Sequence, residues 1–180
     1  KYKDMEEYKT NQENANIRKL KNVWVKEDVI MEISNYINKH IKDVSFGICH
    51  GTRNGAEQQF FKKIINNLKI IGTEISSTAT RFPDTIEWDF HNIKDEWINN
   101  VDFIYSNALD HSYDPKYALT QWLKCLNENG LCFIEHAHDH TNAVDEIDQD
   151  GIGADPHKDG GPYFPSPDIN GLIHGAEQDR

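Results

Sequence analysis

The sequence predicts an α/β domain, doubly wound around a mostly parallel sheet, and three observations predict it. Residues 44–55, V-S-F-G-I-C-H-G-T-R-N-G, are an apolar run of strand type that stops at a glycine-bearing loop and feeds an amphipathic segment from Ala56. From there to residue 135, short apolar runs alternate with segments of helical periodicity, which implies right-handed parallel crossovers. The length of 180 residues suits one such domain with one core.

Taken in order, residues 1–22 are polar and poor in apolar side chains, so a loosely ordered start is expected. In residues 26–41, Val29, Ile30, Ile33, Ile37 and Ile41 fall on one helical face, and this helix is expected at the sheet edge or over the mouth of a binding site. The run at 44–50 is the first strand. Asn54 is placed to cap the following helix, with Glu57 three residues later as in a capping box. Gly51 and Gly55 lack a Cβ, so backbone can come close to a ligand at the mouth of the strand. Phe60, Phe61, Ile64, Ile65 and Leu68 line one side of that helix. Residues 68–74, L-K-I-I-G-T-E, read as the second strand and close on an acid.

Residues 85–90 read as a third strand and Val101–Ser106 as a fourth. Asp114 caps the next helix and Pro115 opens it, with Leu119, Trp122, Leu123 and Leu126 on its packing face. Asn129-Gly130 is expected to end that helix, and residues 131–135 to form the fifth strand. From His136 the chain turns acidic and rich in proline and glycine, more loop than layer. The division is therefore a loose segment at 1–22, a core domain at 23–140 and an irregular acidic tail at 141–180.

A formal net charge of −11 disfavours nucleic acid as the main partner, since affinity there rests on lysine and arginine neutralising phosphates. No apolar run approaches the roughly 20 residues of a membrane-spanning helix, and the first residues show no secretory h-region. Cys49, Cys125 and Cys132 form no C-x-x-C pair, which fits buried free thiols in a reducing cytoplasm. Small-molecule chemistry in a cytoplasmic protein is the expectation. The glycines at 47, 51 and 55 match neither G-x-G-x-x-G nor a phosphate-cradling G-K-[ST]. A glycine turn with no ligand stays open on those residues alone.

Together the residues resemble a family, the class I S-adenosylmethionine-dependent methyltransferases. C-H-G-T-R-N-G at 49–55 is similar to the family's acid-x-G-x-G-x-G loop, keeping Gly51 and Gly55; Cys49 stands in place of the acid and Arg53 in place of the middle glycine. Glu74 resembles the family's ribose-binding acid, and Asp89, with Phe90 beside it, the acid after the third strand that meets the adenine amino group. S-N-A-L-D-H-S-Y-D-P at 106–115 is similar to the family's fourth-strand ending, and N-E-N-G-L-C-F-I-E to its fifth-strand entry. The similarity covers residues 24–140.

The resemblance implies a Rossmann-like methyltransferase fold and S-adenosylmethionine as cofactor. Its site is Gly51, Thr52, Arg53, Gly55, Glu74, Ile75, Asp89, Phe90, Asn107 and Ala108, with Arg53 able to meet the methionine carboxylate. It implies methyl transfer to oxygen or nitrogen of a small-molecule or saccharide-type acceptor. The family ends in two further strands, the last antiparallel, which the tail does not clearly supply; an open sheet edge would then invite pairing between copies.

Methyl transfer needs in-line placement of the acceptor and, for a hydroxyl or amine, a base. His111, just past the fourth strand, is the first candidate and His136 the second, with Tyr113 as a pocket wall. His136, His138, Asp139 and His140 also suit a transition metal, although the spacing matches no hydrolase motif and no metal site is assigned. A metal-dependent hydrolase using these histidines, or a non-catalytic module on a cofactor fold, are the alternatives.

Overall fold

The computed structural model describes residues 2–135 and the strand Leu172–His174. Its elements are α1 (Met5–Arg18), α2 (Glu27–His40), β1 (Phe46–His50), α3 (Ala56–Ile64), β2 (Lys69–Glu74), β3 (Thr85–Glu87), β4 (Val101–Ser106), α4 (Pro115–Cys125), β5 (Leu126–Ile134) and β6 (Leu172–His174). The six strands run in the order β3-β2-β1-β4-β5-β6. All pairs are parallel except β5 with β6.

β1 and β4 are buried along their whole length, which is why they read as continuous apolar runs and not as alternating ones. One face of the sheet is covered by α2 and α3 through Ile30, Ile37, Phe61, Ile65, Phe103 and Phe133. The other is covered by α4 and the segment around Trp97, where Ile48, Ile104, Trp122 and Cys132 meet. Asp102, at the buried start of β4, fixes the register of three strands. One carboxylate oxygen accepts from the amides of Ser45 (2.7 Å) and Phe46 (2.8 Å) and from the Ser45 hydroxyl, and the other from the side chain of Asn127.

Several expectations need correction. The start of the chain is not loose: residues 5–18 are helical, capped by Asp4, whose side chain accepts from the Glu7 amide. Hydrogen bonds and one buried aromatic, Tyr8, hold this helix, so apolar periodicity gave no sign of it. α2 packs against α3 and the sheet, with Tyr36 edge-on to Phe133 of β5. Asn54 does not cap α3. Its side chain donates to the carbonyls of Leu20 and Asn22, and the cap is Gly55, in the left-handed region at φ 73°. β3 is only three residues long, because the chain turns at Trp88 to bring Asp89 out of the ladder. β5 begins directly at the end of α4, with Asn129-Gly130 inside an irregularity between Val101 and Phe103 of its partner strand. β6, within the segment expected to be irregular, pairs antiparallel with Leu131, Cys132 and Phe133 and takes the β5 edge expected to be open.

Candidate functional site

Strand order reverses between β1 and β4, and the loops that leave their carboxyl ends meet there. Gly51 has φ 76°, and a Cβ on it would lie 2.5 Å from the Ala108 Cβ. The close approach of the two loops therefore demands glycine. Ser106 locks them, its hydroxyl donating to the His50 carbonyl (3.0 Å) and accepting from the Ala108 amide (3.1 Å).

The loop after β1 is also tied to β2. The amides of Gly51 and Thr52 donate to the Thr73 carbonyl at 2.8 and 3.1 Å. The Glu74 carboxylate accepts from the Arg53 amide at 3.0 Å and from the Ser76 amide at 2.9 Å. The glycine-bearing bend and the acid at the tip of the second strand thus face one place. Burial pushes the Glu74 carboxyl up, against the pull of the Ser76 and Arg53 amides. Beside it lies a cleft of about 250 Å³ lined by Lys9, Ile75, Glu87, Trp88, Asp89 and Asn92, so Ile75 and Asp89, expected together, are together. Phe90 lies deeper, its ring edge-on to Trp122 and its carbonyl accepting from the Trp122 indole at 2.8 Å.

The loops after β3 and β4 are bridged by a histidine the sequence reading passed over. His91 Nε2 accepts from the Asp114 amide (3.3 Å), which leaves the proton on Nδ1 to be donated to Asp89 at 2.6 Å. The Ser112 hydroxyl, 2.7 Å from Nε2, is then a second donor to it. Burial raises the Asp89 carboxyl, but the ring and amide of His91 outweigh it and the net displacement is downward. The spacing D-F-H at 89–91 is the one signal that could have found this bridge.

α1 closes the mouth from above. Tyr8 packs edge-on to His91 and against Tyr113, with ring centres 5.8 and 5.7 Å apart. Asn16 accepts from Thr78, and Glu13 from Ser77. His111 sits in the short turn Leu109–His111, exposed to solvent, with its Nε2 3.9 Å from Asp110. Asn107 and Ala108 are half-buried beside Gly51. Cys49 is fully buried and its thiol is pushed well up by burial, so it is no ready nucleophile. His136, His138, Asp139 and His140 lie outside the described residues, and among the described residues no cluster of three metal-ligating side chains is present. No helix of the described residues is long and apolar enough to cross a membrane.

Glu57 is the other residue whose position was misread. Its carboxylate is buried, and burial raises its pKa to about 8.

No protein-family model matches the sequence. No curated protein matches it either. Solved structures do match by fold. A 1,6-didemethyltoxoflavin-N1-methyltransferase from Burkholderia thailandensis, with 1,6-didemethyltoxoflavin and S-adenosylhomocysteine bound, is 13% identical at a TM-score of 0.57, covering 74% of this chain and 64% of that one. The plantazolicin methyltransferase in complex with SAH gives 14% identity and 0.54 over 86% and 61%. An amino pentose methyltransferase of calicheamicin biosynthesis from Micromonospora echinaspora, with SAM bound, gives 16% and 0.53 over 68% and 55%. The chain spans less than two thirds of the length of each of these proteins. The chain has the class I methyltransferase-like fold, with a Rossmann-like sheet and flanking helices.

Proposed function

We propose that this chain is an S-adenosylmethionine-dependent methyltransferase acting on oxygen or nitrogen of a small-molecule or saccharide-type acceptor. One observation carries the reading: the Arg53 amide in the glycine-bearing bend and the Glu74 carboxylate meet at 3.0 Å, beside the cleft that Ile75 and Asp89 line. An adenosine has its complement there. Glu74 is an acceptor for ribose hydroxyls, Ile75 an apolar face for the base, and Asp89 an acceptor for the adenine amino group. Gly51, Thr52 and Gly55 let backbone approach, Phe90 packs from below, and Asn107 and Ala108 border the methyl-donor end. The cofactor, when bound, supplies an electrophilic methyl group.

The chain's own part is placement and proton handling. α1 and the loop after β4 shield the mouth, which supports exclusion of water around the reacting atoms. His111 presents an exposed imidazole at the carboxyl edge of β4, suited to take the proton of a hydroxyl or amine; His136 is the second candidate. The acceptor class is supported by the didemethyltoxoflavin and amino pentose named for two of the structures of like fold. Calorimetry with S-adenosylhomocysteine tests the reading: saturable one-to-one binding is expected, and no heat from folded protein at millimolar ligand rejects it.

A further inference from the structure

The loop after β1 departs from the family pattern at two places, Cys49 and Arg53. A fully buried thiol held well above its ordinary pKa carries no charge, so whatever an acid does at that position is not done by Cys49. Four residues past Arg53, on the first turn of α3, Glu57 is 6% exposed and its Oε2 has no hydrogen-bond partner among the described residues. Arg53 is half-buried, and its Nε and Nη1 atoms are shielded from solvent and likewise without a hydrogen-bond partner there. A guanidinium edge and a carboxyl oxygen shielded from water and left without hydrogen bonds are each destabilising unless a ligand meets them.

The two groups do not meet each other. No hydrogen bond joins them, yet each is close enough to feel the other's charge. Arg53 is held in place: its backbone lies at φ 45°, its amide is committed to Glu74, and its guanidinium lies 5.6 Å from the centre of the Trp24 ring. Glu57 is held by the helix. An inorganic anion would satisfy Arg53 alone and an amine Glu57 alone. A ligand carrying a carboxylate and an ammonium on one carbon satisfies both.

Resting on the cofactor reading above, we propose that Arg53 and Glu57 form the subsite for the amino-acid end of S-adenosylmethionine, the guanidinium taking its carboxylate and the Glu57 carboxylate its ammonium. Glu57 thereby stands in for the acid missing at position 49, from the other end of the same loop. Binding converts Glu57 to its charged form, because the ammonium supplies the counter-charge that burial withholds.

The test compares two ligands that share the adenosine and differ in that end: S-adenosylhomocysteine and 5′-methylthioadenosine, which has no amino acid. Calorimetry is run on the wild type, Glu57→Gln and Arg53→Gln. The expected result is that each variant weakens S-adenosylhomocysteine by about tenfold or more and leaves methylthioadenosine within about twofold. Equal losses for both ligands, or none for S-adenosylhomocysteine, overturn the subsite while the cofactor reading stands. A wild type that binds neither ligand overturns both. Should Glu57→Gln fail to fold, as circular dichroism would show, Arg53→Gln alone decides between the outcomes.

Discussion

Glu74 holds two loops with one carboxylate, accepting from the Arg53 and Ser76 amides, and in the proposed site it must also face a ribose. Glu74→Ala removes charge-assisted acceptors worth about 1.5–3 kcal/mol. Titration calorimetry should find S-adenosylhomocysteine weakened by about 10- to 150-fold. Glu57 offers a test that needs no ligand. Its folded pKa is raised from 4.5 to about 8 by burial, against the pull of Arg53 and with the push of Glu135 and Glu74. The folded state therefore binds the extra proton, and the stability this residue contributes is present below pH 4.5 and lost as pH rises through about 8. Thermal melts across that window should show the wild type losing stability relative to Glu57→Gln. Parallel curves would deny the burial. The places of Glu74, at the tip of β2, and of Gly51, in the bend after β1, were legible because an acid closing an apolar run and a glycine following one are local signals. The burial of Glu57 was not, since a glutamate three residues past Asn54 looks like a capping box, whereas in the folded chain the Asn54 side chain donates to the Leu20 carbonyl.

The elements divide in the same way between local and distant causes. α4 was readable to the residue at its start because Asp114 and Pro115 act locally: the Asp114 side chain accepts from the Tyr117 amide at 2.9 Å. Asp114→Ala should cost about 1 kcal/mol in denaturant unfolding, and an unchanged midpoint would contradict the cap. α1 was missed because its docking depends on partners some 60 positions away, Asn16 with Thr78 and Glu13 with Ser77, which no local pattern encodes. Asn16→Ala removes the link from α1 to the buried Thr78 hydroxyl, which keeps only Ser76 beside it. Hydrogen exchange across α1 should speed up by about tenfold, for a local loss of about 1–2 kcal/mol, while β1 and β4 keep their protection. Equal acceleration in the strands would mean that α1 is part of the global unit and not a separately docked lid.

At the scale of the molecule, a strand order with its reversal between β1 and β4 brings the loops after β1, β2, β3 and β4 to one edge. Alternation of runs made the doubly wound, mostly parallel sheet legible, though not the order of its strands. The pairing of β6 with β5 was not, because a three-residue strand following a long acidic segment has no periodicity to read. Asp102 is the tie on which the register rests, serving Ser45, Phe46 and Asn127 at once. Asp102→Ala strands the buried Phe46 amide and removes the acceptor shared by Ser45 and Asn127, and should lower unfolding stability by about 3 kcal/mol; a loss below about 1 kcal/mol would show that the ladders alone set the register. The central claim is that loops from four strand tips share one S-adenosyl cofactor, and amide chemical-shift mapping during titration with S-adenosylhomocysteine tests it most directly. Gly51, Arg53, Ile75, Phe90 and Ala108 should shift together with a single dissociation constant. Shifts confined to another face of the molecule, or none in these five, would contradict it.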